Sequence, residues 1–92
     1  MNNKNIKIMI TVYSFPSCPY CIELKSLLVA EGIEFKDVNV DLPENEEEFN
    51  KIMEVANSNE VPMIRIGKHL LVPNQSLHTI KEGFEITKNL LK

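Results

Sequence analysis

Apolar and polar positions fall into segments of two periods along this chain, strand-like and helix-like in turn. From Ile6 to Ser14, the residues Ile6, Ile8, Ile10 and Val12 share one parity, while Met9 and Tyr13 take the other. That pattern, rich in β-branched residues, predicts a strand covered on both faces. Phe15-Pro16-Ser17 reads as the loop leaving it. Pro19 suits the first position of a helix that runs to about Glu31, with Leu24, Leu27 and Leu28 as its stripe and Gly32 as its stop. Ile33 to Val40 predicts a second strand, with a change of parity near Lys36-Asp37. Phe49, Ile52, Met53 and Ala56 mark a second helix over Glu44 to Asn57. Val61 to Ile66 and His69 to Val72, joined at Gly67-Lys68, predict an antiparallel hairpin. Leu77, Ile80, Phe84, Thr87 and Leu91 share one stripe through Gly83, so a single last helix is expected, capped from Asn74, Gln75 or Ser76.

The order is β-α-β-α-β-β-α, an α/β fold with a four-stranded mixed sheet flanked by three helices. A helix between the first two strands makes them parallel through a right-handed crossover. With 92 residues, a single domain over 1–92 is expected, its first five residues a loose N-terminus.

Composition narrows the function. Hydrophobic residues at 43% and charged residues at 25% fit a folded soluble protein. Ten basic and thirteen acidic residues give a net charge of -3 with no basic cluster, which argues against nucleic acid. The acids between Asp41 and Glu54 read as a solvated helix with an acidic first turn. No apolar run approaches the ~20 residues of a membrane helix, and no small-residue cleavage site follows Ile8–Tyr13. A cytoplasmic monomer is therefore expected. In a reducing compartment, a chain with two cysteines uses them for catalysis or metal binding more readily than for a structural disulfide.

Cys18-Pro19-Tyr20-Cys21 is the segment that demands a chemical explanation. Cys18 falls at the N-terminus of the first helix, where unpaired N–H groups and the helix dipole favour an anion, and a thiolate is the nucleophile of disulfide exchange. Cys21, nearly one turn on and on the inner side, suits the resolving role. Pro19 stiffens the loop and removes a donor. A zinc site would need His69 and His78 as further ligands, and they lack the usual spacing, so no metal is expected. Both histidines are expected at the surface, His78 on the outer part of the last helix.

The match extends beyond the motif. Val12 to Cys21, the leucine-bearing helix, Gly32-Ile33-Glu34-Phe35, Val38-Asn39-Val40-Asp41 and Val61-Pro62 before Met63-Ile64-Arg65-Ile66-Gly67 together resemble the dithiol glutaredoxins, a thioredoxin-like family. The resemblance implies a cis bond before Pro62. It also implies a groove in which the Val61 backbone, Tyr20 and the segment Asn74-Gln75-Ser76 contact glutathione, a co-substrate and not a bound cofactor. Activity would be reduction of protein disulfides or glutathione mixed disulfides.

Three departures stand out. Phe15 replaces a family Lys or Arg, Val72-Pro73 replaces Gly-Gly, and Asn74-Gln75-Ser76 replaces a segment carrying two aspartates. Arg65 and Lys68 are the cations left to substitute, although exposed strand and turn positions suit them better. These departures keep open a glutaredoxin-like redoxin that is reduced by thioredoxin reductase and serves ribonucleotide reductase. A peptide-binding module with idle cysteines and an iron–sulfur carrier are the remaining alternatives. Pro19 and Tyr20 weigh against the carrier by resemblance.

Overall fold

The computed structural model describes residues 8–92. The expected loose segment 1–5 and the start of the first strand at Ile6 lie outside the described residues.

The elements are β1 (Ile10–Ser14), α1 (Pro19–Ala30), β2 (Lys36–Asn39), α2 (Glu46–Ala56), β3 (Met63–Ile66), β4 (His69–Leu71) and α3 (Ile80–Leu90). The sheet order is β2-β1-β3-β4, with β1 parallel to β2 and antiparallel to β3, and β4 antiparallel to β3. This is the β-α-β-α-β-β-α order and four-stranded mixed sheet that the pattern predicts.

The two parities of the strands build two cores. Ile10, Val12, Ile64, Ile66 and Leu71 face Leu24 and Leu28 of α1 and Ile80 and Phe84 of α3. On the other side Tyr13, Val38 and Met63 meet Ile52 and Ala56 of α2. The helices α1 and α3 thus share one face of the sheet and α2 holds the other. Ile64 is fully buried on a central strand, in the larger core. Ile64→Ala is expected to cost about 2–5 kcal/mol of stability, read as a lower urea midpoint.

Several boundaries differ from expectation. β2 begins at Lys36, not Ile33, because Ile33 and Phe35 pack against the larger core without joining the ladder. α2 begins at Glu46 after a short 3-10 turn over Pro43–Asn45, and Glu46, Glu47 and Glu48 supply its acidic first turn. α1 ends where Gly32 takes a left-handed φ of 74°, and the Ile33 amide then donates to the Leu28 carbonyl at 2.9 Å.

The larger correction is at α3. Asn74, Gln75 and Ser76 do not cap it. The cap is Thr79, whose hydroxyl accepts the Glu82 amide at 3.0 Å, while the Glu82 carboxylate accepts the His78 amide. The chain from Val72 to Leu77 instead folds into its own turn. There the Val72 carbonyl accepts the amides of Gln75, Ser76 and Leu77, and Asn74 sits at φ 65°. Leu77 belongs to the apolar stripe in space but lies before the helix. Gly83 lets α3 approach the sheet: a Cβ there would meet Leu77 Cδ2 at 3.2 Å and Ile64 Cδ1 at 3.5 Å. Among the described residues, no helix is long and apolar enough to cross a membrane.

Candidate active site

β1 ends at Ser14, and the loop Phe15–Ser17 hands the chain to α1. Cys18 is the N-cap residue, in extended conformation (φ -86°, ψ 112°), and Pro19 occupies the first turn where its missing N–H costs nothing. The Cys21 amide donates to the Cys18 sulfur at 3.1 Å. A serine or aspartate oxygen does this at ordinary helix starts; here a sulfur does it. Both cysteines are free thiols and buried, Cys18 at 4% exposure and Cys21 at 0%.

Their surroundings differ in kind. Cys21 lies on the inner stripe of α1 with Leu24 and Leu28. Burial is the main cause that pushes its thiol up to about 12, and a hydrogen bond with the Cys18 sulfur adds to it. The Phe15 backbone and the Lys25 ammonium pull in the opposite direction. Cys21 therefore holds its proton and can hand its hydrogen-bonding capacity to Cys18.

Beside the pair runs a groove of about 800 Å³. Phe15, Tyr20 and Glu23 form one wall, and Asn59, Glu60, Val61 and Pro62 form a second. The segment preceding α3 and its first turn, from Pro73 and Asn74 to Ile80 and Lys81, close the third. The Val61–Pro62 bond is cis, as the resemblance implies. Tyr20 stands 65% exposed at the edge.

The groove gathers Tyr20, Val61, Pro62 and Asn74, but not Gln75 or Ser76. Gln75 donates through its side-chain amide to the Ala56 carbonyl at 3.0 Å, and the Ser76 hydroxyl accepts the Val72 amide at 2.7 Å. These hydrogen bonds run into the fold, away from the groove. Asn74 reaches across the groove mouth, its amide donating to Glu60 Oε1 at 2.9 Å. Arg65 is not a groove residue: it lies near Tyr13 and donates to the Gly67 carbonyl, and Lys68 lies in the hairpin turn. The groove cation is Lys81.

His78 precedes α3 and lines the groove, in place of the expected outer helix face, while His69 is exposed on β4. Groove residues that sequence reasoning missed include Glu23, Asn59, Glu60, Thr79, Ile80 and Lys81. Thr79-Ile80-Lys81-Glu82 carries the Thr-x-x-Glu signature of a helix start, which would have placed the first turn of α3 correctly.

A dithiol pair at the head of α1, opposite a cis-proline turn on a four-stranded mixed sheet, defines a thioredoxin-like protein of the thiol-disulfide oxidoreductase type. The chain belongs to the glutaredoxin family: residues 10–71 match its sequence model, described as Glutaredoxin. An uncharacterised glutaredoxin-like 8.6 kDa protein of the Clostridium pasteurianum rubredoxin operon is 38% identical over 66 residues, covering 70% of this chain and 83% of that protein. Glutaredoxin 1 of Rickettsia typhi is 36% identical over 64 residues, and the match spans 70% of this chain but only 62% of the rickettsial protein. Among solved structures, a dithiolic glutaredoxin of Trypanosoma brucei brucei aligns with TM-score 0.69 at 28% identity, over 92% of this chain and 88% of its own. A buckwheat glutaredoxin–glutathione complex aligns with TM-score 0.68 over 89% of this chain and 70% of its own, and at 17% identity it supports the fold alone.

Proposed function

We propose that this protein is a dithiol glutaredoxin that reduces protein disulfides and glutathione mixed disulfides in a reducing cytoplasm, with glutathione as co-substrate. The observation that carries this reading is the placement of Cys18: its sulfur caps α1 and accepts the Cys21 amide, between two groove residues in sequence, Phe15 and Tyr20. In the first step the Cys18 thiolate attacks a substrate disulfide, one sulfur leaves with the electron pair, and a mixed disulfide forms. Cys21 then attacks the Cys18 sulfur, releases the reduced substrate and leaves a Cys18–Cys21 bridge, which glutathione reopens.

Recognition of glutathione would draw on strand-like pairing to the Val61 backbone and on Tyr20 at the groove edge. It would also draw on the N-terminus of α3, with Lys81, for a carboxylate. Of the segment Asn74-Gln75-Ser76, Asn74 alone faces the groove, where it would offer a neutral hydrogen bond.

One observation favours a second reading. Glu23 and Glu60 line the groove and Phe15 stands where the family has a cation, which disfavours a ligand with two carboxylates. The alternative is a redoxin recharged by thioredoxin reductase and serving ribonucleotide reductase. Oxidised protein is offered glutathione with glutathione reductase, and separately thioredoxin reductase with or without thioredoxin, following NADPH loss. Turnover with glutathione is expected, and turnover with thioredoxin reductase alone would replace the first reading by the second.

Phe15→Lys tests the groove's charge directly. A restored charge-assisted bond, worth ~1.5–3 kcal/mol, is expected to lower the KM for glutathione by about tenfold or more with little change in kcat. An unchanged KM would mean that the glutathione carboxylate lies elsewhere.

A further inference from the structure

The oxidoreductase reading leaves unexplained how a thiol as well buried as Cys21 attacks at all. We propose that Lys25, clamped by Asp37 and Ser14, is the positioning residue that makes Cys21 a competent attacking thiolate in the resolving step. This inference rests on the role given to Cys21 above.

Lys25 follows Cys21 by four residues on α1, so the two side chains share a face of the helix. Its ammonium lies 2.9 Å from Asp37 Oδ2 on β2 and 3.3 Å from the Ser14 hydroxyl oxygen at the end of β1. The Ser14 hydroxyl in turn donates to Asp37 Oδ1 at 2.8 Å. Ser14 is 1% exposed, and the Lys25 side chain 22%. Two strands therefore hold one helix-borne cation and fix it over the end of β1, where solvent screens it less than a free surface lysine. The residue after Ser14 is Phe15, whose backbone also favours charge on the Cys21 sulfur. An isolated surface ion pair would contribute little; here the buried Ser14 hydroxyl also holds the cation, one helical turn from a thiol that must ionise, so its placement does not rest on the Asp37 charge alone.

The step balances simply. Cys21 gives its proton to water. Its thiolate attacks the Cys18 sulfur, the Cys18–Cys21 bond forms, and the bond from Cys18 to the substrate breaks with the electron pair leaving on the substrate sulfur. Of the charged groups in this cluster, Lys25 on α1 favours the Cys21 thiolate and Asp37 on β2 opposes it by neutralising Lys25. Ser14 is neutral. Cys18, tied up in the mixed disulfide, carries no charge at this stage.

The two charges thus predict opposite effects, which a scaffold role would not produce. Reduced protein is mixed with dithionitrobenzoate, so that Cys18 releases one thionitrobenzoate and Cys21 releases the second. The rate of the second release is followed against pH in wild type, Lys25→Met, Lys25→Arg and Asp37→Asn, with Cys21→Ser as the blank. Lys25→Met is expected to raise the pH midpoint by about one unit and slow release near neutrality about tenfold. Lys25→Arg should restore the wild-type midpoint, and Asp37→Asn should lower it. An unchanged midpoint in Lys25→Met, or slowing without a shift in both Lys25→Met and Asp37→Asn, would overturn the proposal. Absence of a second release in wild type would overturn the resolving role of Cys21 and this inference with it.

Discussion

Cys18→Ser is expected to abolish turnover of every disulfide substrate, protein and glutathione mixed disulfide alike. The reaction needs a thiolate that attacks sulfur and then serves as a sulfur leaving group, and a serine hydroxyl does neither at neutral pH. The fold should survive, because Cys18 already occupies the N-cap position of α1 and serine is among the preferred residues there. A circular-dichroism melt matching wild type, together with activity at the blank level, is the expected pair of results. Residual turnover above the blank would move the nucleophile elsewhere.

The second large effect separates the two thiols. Cys21→Ser should lose reduction of protein disulfides while keeping exchange on a glutathione mixed disulfide, since Cys18 and free glutathione suffice for that reaction. The burial that pushes Cys21 up to about 12 keeps it protonated while Cys18 waits for substrate, which prevents premature competition between the sulfurs. Part of that rise comes from Cys18 itself and lapses once Cys18 is bound in a mixed disulfide, whereas the burial part remains. Only the thiolate attacks, so the wild-type rate on protein disulfides should climb with pH through neutrality, by up to about tenfold per unit. A Cys21→Ser variant inactive on the mixed disulfide would reverse the role assignment.

Much of this site is legible in the chain because it is local. The strand-loop-helix passage from Tyr13 to Leu28 places both cysteines through nearest-neighbour rules: β-branched alternation, Pro19 in the first helical turn and leucines every three or four residues. The opposite wall is less legible, for a physical reason. Leu77 packs into the same core as Ile80 and Phe84 without being helical, so burial periodicity extended α3 backwards over a turn held by Val72 and Ser76. The ligand contacts that the resemblance assigns to Gln75 and Ser76 fail on the same turn, because their hydrogen bonds run to Ala56 and Val72. Such pairings join residues far apart along the chain or inside an irregular turn, where no period announces them. The clamp on Lys25 is similar: its partners lie eleven and twelve positions away on two strands.

The turn from Val72 to Leu77 has one more consequence. Its amides, the Ser76 hydroxyl and the Gln75 side chain already have partners within the protein, and Asn74 bridges to Glu60 across the groove mouth. The wall is thus assembled before any ligand arrives. Ordering a loop on association costs conformational entropy, and a preorganised wall avoids that cost. An incoming disulfide has only to displace water and the Asn74–Glu60 contact, so selectivity at this groove falls to shape and charge, with little left to folding around the guest.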